Sequence, residues 1–215
     1  MTAVSEIPNR PSDRTIEIRS LGKQDYEPIW RHMQEFTNSR DQDAPDEIWF
    51  TEHPPVFTLG LSASREHLLA PGDIPSIQID RGGQVTYHGP GQLMIYALID
   101  LKRARLGVRD LVTALEQSAV DLAAQYGIEA ASRIDAPGVY VQGVKLASVG
   151  LRVRRNSSYH GMALNVDMDL EPFNRINTCG YTDLEVTDLR RLGINKSLSE
   201  VQEHLTPHLL KHLGL

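Results

Sequence analysis

The fold class that the sequence predicts is α/β (α+β): a single domain with a mixed, largely antiparallel sheet and packed helices. Three observations carry it. Residues 109–126 place Leu111, Leu115, Ala119, Leu122 and Ala123 along one side of a helix that stops at Gly127. Residues 139–141, 144–154 and 158–167 alternate apolar and polar side chains and are divided by Gln142-Gly143 and Arg155-Asn156-Ser157, the pattern of a β-meander. Neither G-x-G-x-x-G nor G-x-x-x-x-G-K-[ST] occurs, so a dinucleotide or P-loop nucleotide reading has no residues to rest on.

The remaining elements follow in order. Thr15 to Ser20 reads as a first strand. Tyr26, Ile29, Trp30, Met33 and Phe36 then recur at helical steps with one buried face. Glu47 to Glu52 is a strand broken at Pro54-Pro55, with Val56 to Leu59 extended beyond it. Ile77 to Asp80 is a short β candidate, and Leu93 to Leu101 is apolar enough for a strand buried on both faces. At the C-terminal end a short helical piece is expected near Thr187 to Leu192. A longer helix follows, opened by a Ser197/Glu200 capping box and expected to kink at Pro207.

A chain of 215 residues, 40% hydrophobic and 23% charged, is ordinary globular material without repeats. Residues 1–14 are polar and hold Pro8 and Pro11, so a disordered tail is expected there, with one catalytic domain over residues 15–215. The net charge of −6 argues against nucleic acid as the main partner. Two local basic clusters, Lys102/Arg103/Arg105/Arg109 and Arg152/Arg154/Arg155, read either as solvated surface or as a docking face. No apolar stretch reaches the ~18 residues of a membrane span. With one thiol and no export signal, the expected compartment is the cytoplasm.

Cys179 is the only cysteine and sits in a polar setting, Asn177-Thr178-Cys179-Gly180-Tyr181. It cannot form an internal disulfide, which leaves buried filler, a surface thiol or a nucleophile. The segment Arg81-Gly82-Gly83-Gln84-Val85-Thr86-Tyr87-His88-Gly89-Pro90-Gly91-Gln92 packs four glycines among polar side chains. Glycine loses the most entropy on ordering, so such a group suggests a close backbone approach or positive φ, at a ligand or in an irregular turn. His204, His208 and His212 recur every four residues, but the leucines between them explain that helix as amphipathic packing without a metal.

Four blocks carry a family resemblance: Arg81 to Gln92; Gly143-Val144-Lys145-Leu146-Ala147-Ser148-Val149-Gly150; His160-Gly161-Met162-Ala163-Leu164-Asn165-Val166; and Asn177-Thr178-Cys179-Gly180. In this order they closely resemble the lipoyl (octanoyl) transferase family, whose fold is similar to the catalytic domains of lipoate and biotin protein ligases. The resemblance implies transfer of an octanoyl or lipoyl group to a lysine of lipoyl domains, as an early step of protein lipoylation. The implied donor is octanoyl-acyl carrier protein. The implied acceptors are the lipoyl domains of 2-oxoacid dehydrogenase complexes and the glycine cleavage H protein. Neither ATP nor metal is expected, because a thioester donor is already activated.

Under that resemblance Cys179 is the nucleophile that carries the acyl group as a thioester. Lys145 would lower the thiol's pKa and shuttle a proton, provided its side chain faces inward; the bare alternation equally allows the solvent face. His88 is a rival base by chemistry, but the family pattern makes it part of the acyl pocket. That pocket is implied to comprise Arg81, Gly82, Gly83, Gln84, Val85, Thr86, Tyr87 and His88, with Ser148, Val149, Gly150, Gly161, Met162 and Ala163. Three rivals remain: an ATP-dependent ligase of the same architecture, a binding module without chemistry, and a cysteine hydrolase, against which stands the lack of a residue pattern marking a general base for water.

Overall fold

The computed structural model describes residues 15–177 and 184–215; the expected tail over residues 1–14 lies outside them. In chain order the elements are β1 (Ile16–Lys23), α1 (Tyr26–Ser39), β2 (Asp46–Glu52), β3 (Val56–Leu59), β4 (Ser76–Gln78), β5 (Val85–His88) and β6 (Gln92–Leu98). They continue with α2 (Leu101–Ala104), α3 (Val108–Gln125), β7 (Ala131–Ser132), β8 (Gly138–Val141), β9 (Val144–Arg154), β10 (Ser157–Asn165) and α4 (Leu198–Leu213). Seven strands form the main sheet in the order β1-β2-β6-β10-β9-β8-β7. Only β1 and β2 run parallel in it, joined through α1; the other neighbours are antiparallel. A second sheet, β4-β3-β5, carries the glycine-rich segment at its end.

The expected meander is present as β8, β9 and β10. Its turns fall at Gln142-Gly143 (φ 49° and 87°) and Arg155-Asn156 (φ 50° and 62°), the left-handed pairs that match the twist of a two-residue hairpin. Strand β6 is buried along its whole length, and alternation sorts its side chains. Leu93, Ile95 and Ala97 join Leu111, Leu115 and Leu122 of α3 and Leu205 and Leu209 of α4 in one aliphatic cluster. Met94, Tyr96 and Leu98 join Tyr26, Ile29, Trp30 and Met33 of α1 in another. Each sheet face thus receives the helix whose apolar stripe the sequence showed.

The three C-terminal histidines knit α4 to α3: His204 Nδ1 lies 2.8 Å from the Tyr126 hydroxyl, His208 Nε2 2.9 Å from Gln125 Oε1, and His212 Nε2 2.9 Å from Asp121 Oδ2. Helix α4 opens with the expected capping box and runs on through Pro207. The helical piece expected near Thr187 to Leu192 is instead a turn. Its N–H groups are taken by the sheet, Leu189 donating to Asn165 O and Arg190 to Val166 O, while Asp188 caps Arg191 N–H and Gly193 sits at φ 88°. Leu101, expected at the end of a strand, begins α2, which is capped by Asp100.

Candidate active site

A cavity of about 380 Å³ opens where β9, β10, the N-terminal turn of α3 and the glycine-rich segment meet. That size lies within the roughly 300–1,000 Å³ of small-molecule sites. Arg81, Gly82, Gly83, Gln84, Val85, Thr86 and His88 line it, as do Ser148, Val149, Gly150, Gly161, Met162, Ala163 and Lys145. Of the expected pocket residues, Tyr87 alone is not on this wall. Its ring packs against Phe57 and Phe173 in a separate apolar cluster.

Lys145 faces inward and is 1% exposed. Its backbone N–H donates to Glu185 O and its carbonyl accepts from Thr187 N–H, both at 2.9 Å, so the segment 184–187 runs alongside it. The ammonium lies 5.3 Å from the Tyr140 ring centroid. Gly138 makes this placement possible. Its φ is 143°, and a Cβ there would come within 2.7 Å of Lys145 Cε and 3.3 Å of Nζ. The Gly138 N–H donates at 2.7 Å to Glu116 Oε1, a buried carboxylate of α3. Burial raises the Glu116 pKa, against the Gly138 hydrogen bond and the positive charge of Lys145.

Cys179 falls within residues 178–183 and so lies outside the described residues. Both flanks of that stretch are tied down. Before it, Asn177 N–H donates to His67 O at 2.9 Å, and Ile176 bridges Leu68. After it, Val186 bridges Lys145 and the Thr187 carbonyl accepts from Asn165 Nδ2 at 2.8 Å.

That last bond ends a chain that starts in the glycine-rich segment. Arg81, 8% exposed, donates from Nε and Nη2 to Thr58 Oγ1, which leaves the Thr58 proton to donate to His88 Nε2 at 3.2 Å. His88 Nδ1–H then donates to Gln92 Oε1 at 2.8 Å, and Gln92 Nε2 donates to Asn165 Oδ1 at 2.9 Å. Both His88 nitrogens are committed. Burial, then the Arg81 charge, pushes its pKa down to about 3. A neutral imidazole with neither nitrogen available suits the orienting role expected for His88 and not that of a base.

A second polar group surrounds Asp80. It accepts from Trp30 Nε1 at 2.7 Å, Gln34 Nε2 at 3.0 Å, His160 Nε2 at 2.9 Å and the Tyr159 hydroxyl. Burial opposes ionisation of Asp80, yet these donors outweigh it and hold the carboxyl well below the usual range. The Asp80 contact fixes the proton of His160 on Nε2, and Nδ1, buried on the cavity residue, has no partner among the described residues. His160 holds φ 61° inside β10, a strained conformation of the kind that gathers at functional sites. A third group stands behind the wall: the His53 Nδ1–H donates to Gln24 O and His53 Nε2 accepts from Tyr96, both at 2.7 Å. Tyr26, Tyr96 and His160 line the cavity alongside the expected residues.

A family model for the lipoyl protein ligase A/B catalytic domain matches residues 25–210. The chain belongs to this family. It is 55% identical over 211 residues to a Shewanella amazonensis protein named octanoyltransferase, covering 94% of this chain and 98% of that one. Its fold is similar to a bi-partite lipoate protein ligase from Thermoplasma acidophilum, with TM-score 0.76, 14% identity, and coverage of 94% and 84%. A biotin protein ligase from Aquifex aeolicus is more distant, with TM-score 0.57, 13% identity, and coverage of 92% and 68%. The fold class expected from the sequence is thus the fold of this family.

Sequence reasoning missed Tyr26, Asp80, Tyr96, Glu116 and His160 as site residues. Tyr26 shares the helical period of the core. Asp80 and Glu116 each stand beside apolar neighbours in a predicted element, and a charged residue so placed was the one available hint.

Proposed function

We propose that this chain is an octanoyltransferase of protein lipoylation, moving the acyl group from acyl carrier protein to a lysine of a lipoyl domain by way of a Cys179 thioester. The observation that carries the reading is a buried lysine, Lys145, on the wall of an open-mouthed cavity beside the segment that leads out of the cysteine's stretch. Relatives named octanoyltransferase, matched over nearly their whole length, support it.

In the first step the Cys179 sulfur attacks the thioester carbonyl, a new C–S bond forms, and the carrier's C–S bond breaks. The thiol proton passes to the departing carrier thiolate. An ordinary thiol with a pKa of ~8.5 is only a few per cent thiolate at neutral pH, so a neighbouring ammonium raises the reactive fraction. Lys145 is the buried cation suited to that task and to relaying the proton. In the second step the acceptor lysine's amine attacks the acyl-enzyme; a C–N bond forms and the C–S bond to Cys179 breaks. One amine proton returns to the sulfur. Thioester exchange is nearly even in free energy and amide formation runs downhill, so the sequence of steps needs neither nucleotide nor metal.

Negative charge develops on the carbonyl oxygen in both steps. Arg81, buried on the same wall, contributes a positive field there in a low-dielectric setting. The acceptors on this reading are the lipoyl domains of 2-oxoacid dehydrogenase complexes and the glycine cleavage H protein, met in the cytoplasm. The single cysteine suits that reducing compartment, and among the described residues no helix is long and apolar enough to cross a membrane.

The ligase reading has the fold likeness to an ATP-bound lipoate-protein ligase in its favour. One assay separates the two. Lipoyl domain is incubated either with octanoyl-acyl carrier protein or with octanoate and ATP, and the modified lysine is followed by mass spectrometry. Product from the carrier alone is expected; product from octanoate and ATP would overturn the transferase.

A further inference from the structure

Among the described residues, half of the cations outside the cavity are matched to carboxylates: Arg19, Arg31, Arg40, Arg103, Arg133, Arg175, Arg190, Lys196 and Lys211 each form an ion pair. Of the others, Lys23, Arg65 and Arg191 stand singly along the chain, whereas Lys102, Arg105 and Arg109, at the corner between α2 and α3, and Arg152 and Arg154 on β9 come in two clusters. All five are exposed and none meets a carboxylate within ion-pair distance among the described residues. In a chain of net charge −6, that is a local excess of one sign.

The two basic stretches adjoin. The Leu101 N–H of α2 donates to Asn156 O at the tip of the β9–β10 hairpin at 2.8 Å, and Asp100 bridges Ser157. Both also reach the cavity, since Val108 and Val112 of α3 and Leu151 of β9 stand on its wall, Val108 being 47% exposed. The nearby acids are already engaged. Asp110 accepts the Gly107 N–H, and Asp135 pairs with Arg133. A cationic face with an apolar spot at a cavity mouth fits an acidic protein that must deliver an acyl chain into that cavity.

We propose that Lys102, Arg105, Arg109, Arg152 and Arg154 form the docking face for the acidic acyl-donor protein. This rests on the octanoyl-transfer reading. The donor, not the acceptor, is assigned because the face borders the residues through which the whole chain must enter, whereas the acceptor presents only an amine to the carbonyl.

The test uses the full-length Arg105→Glu/Arg109→Glu double variant and, separately, Arg154→Glu, with melting temperatures to confirm folding. Each is assayed with octanoyl-acyl carrier protein and with the small, neutral octanoyl-N-acetylcysteamine thioester. The expected result is a fall in kcat/KM for the carrier of about tenfold or more, carried by KM, with turnover of the small thioester within about twofold of wild type. The defect with the carrier should shrink as salt screens the wild-type attraction between about 50 and about 500 mM. Equal losses with both donors, no loss with the carrier, or a change confined to the KM for the lipoyl domain would each overturn the docking face. Wild-type enzyme that transfers from neither donor would instead sink the functional reading on which it rests.

Discussion

Two regions of this molecule bury side chains to the same depth with opposite chemistry. Beneath α3 and α4 the sheet meets Leu111, Leu115, Leu122, Leu205 and Leu209, an aliphatic layer that needs no partners beyond shape. At the cavity the buried groups are Arg81, His88, Lys145 and His160, backed by Asp80 and Glu116. There each charge or dipole is tolerated because another was brought to it, often from far along the chain. The first region supplies stability, and the second spends some of it to hold polar groups dry. Substitutions should therefore separate folding from catalysis.

The sharpest break is expected at Lys145. Lys145→Met keeps much of the stem's volume and removes the charge, so single-turnover acylation should slow by about 100-fold or more while the protein still unfolds cooperatively. A rate within a factor of a few of wild type would put Lys145 among the structural residues. The converse holds for Leu115→Ala in the aliphatic layer. It should lower unfolding free energy by about 2–5 kcal/mol in urea titration, with the rate per folded molecule unchanged. A lost rate without lost stability there would dissolve the contrast between the regions.

Asp80→Asn probes the seam between them. It keeps shape but cannot accept with full charge from Trp30, Gln34, Tyr159 and His160. A loss of about 2–3 kcal/mol is expected by chemical denaturation, accompanied by slower acylation; loss of stability alone would make Asp80 a purely structural hub.

The smallest effect is in pH dependence. Burial holds His53 down to about 4 and His88 to about 3. Unfolded histidines take up protons below about 6.5 while these two stay neutral when folded, so the unfolded chain binds more protons and stability falls on acidification from about 6.5 to about 4. Each contributes up to about 1.4 kcal/mol per pH unit. Asp80 enters only below this window, and Glu116, whose pKa is raised, acts with the opposite sign. Urea midpoints across this range should decline less steeply in His53→Gln; an unchanged slope would remove His53 from the account.

What the sequence showed follows the same division. The α3 helix, the meander and the Ser197/Glu200 cap were legible because periodicity and turn residues are local signals. The turn at residues 189–193 was not, since the carbonyls that take its N–H groups, Asn165 at the end of β10 and Val166 just after it, lie over twenty residues away in the chain. The glycine-rich segment announced a site through composition, and Lys145 through the family resemblance. His160 stood at the head of a resembling block but was passed over for its neighbours, and Asp80 gave no such sign, because its burial depends on a partner 80 residues apart in sequence. Tyr87 was drawn into the pocket by its neighbours in the segment, whereas its ring went with the apolar cluster of Phe57 and Phe173.

One measurement bears most directly on the account. Wild-type protein is mixed with octanoyl-acyl carrier protein without acceptor, quenched at low pH, digested and mapped by mass spectrometry, with and without hydroxylamine. The expected result is a hydroxylamine-labile octanoyl adduct on the peptide containing Cys179, and much slower adduct formation in Lys145→Met. An adduct on any other residue, or full transfer to a lipoyl domain by Cys179→Ala, would contradict it.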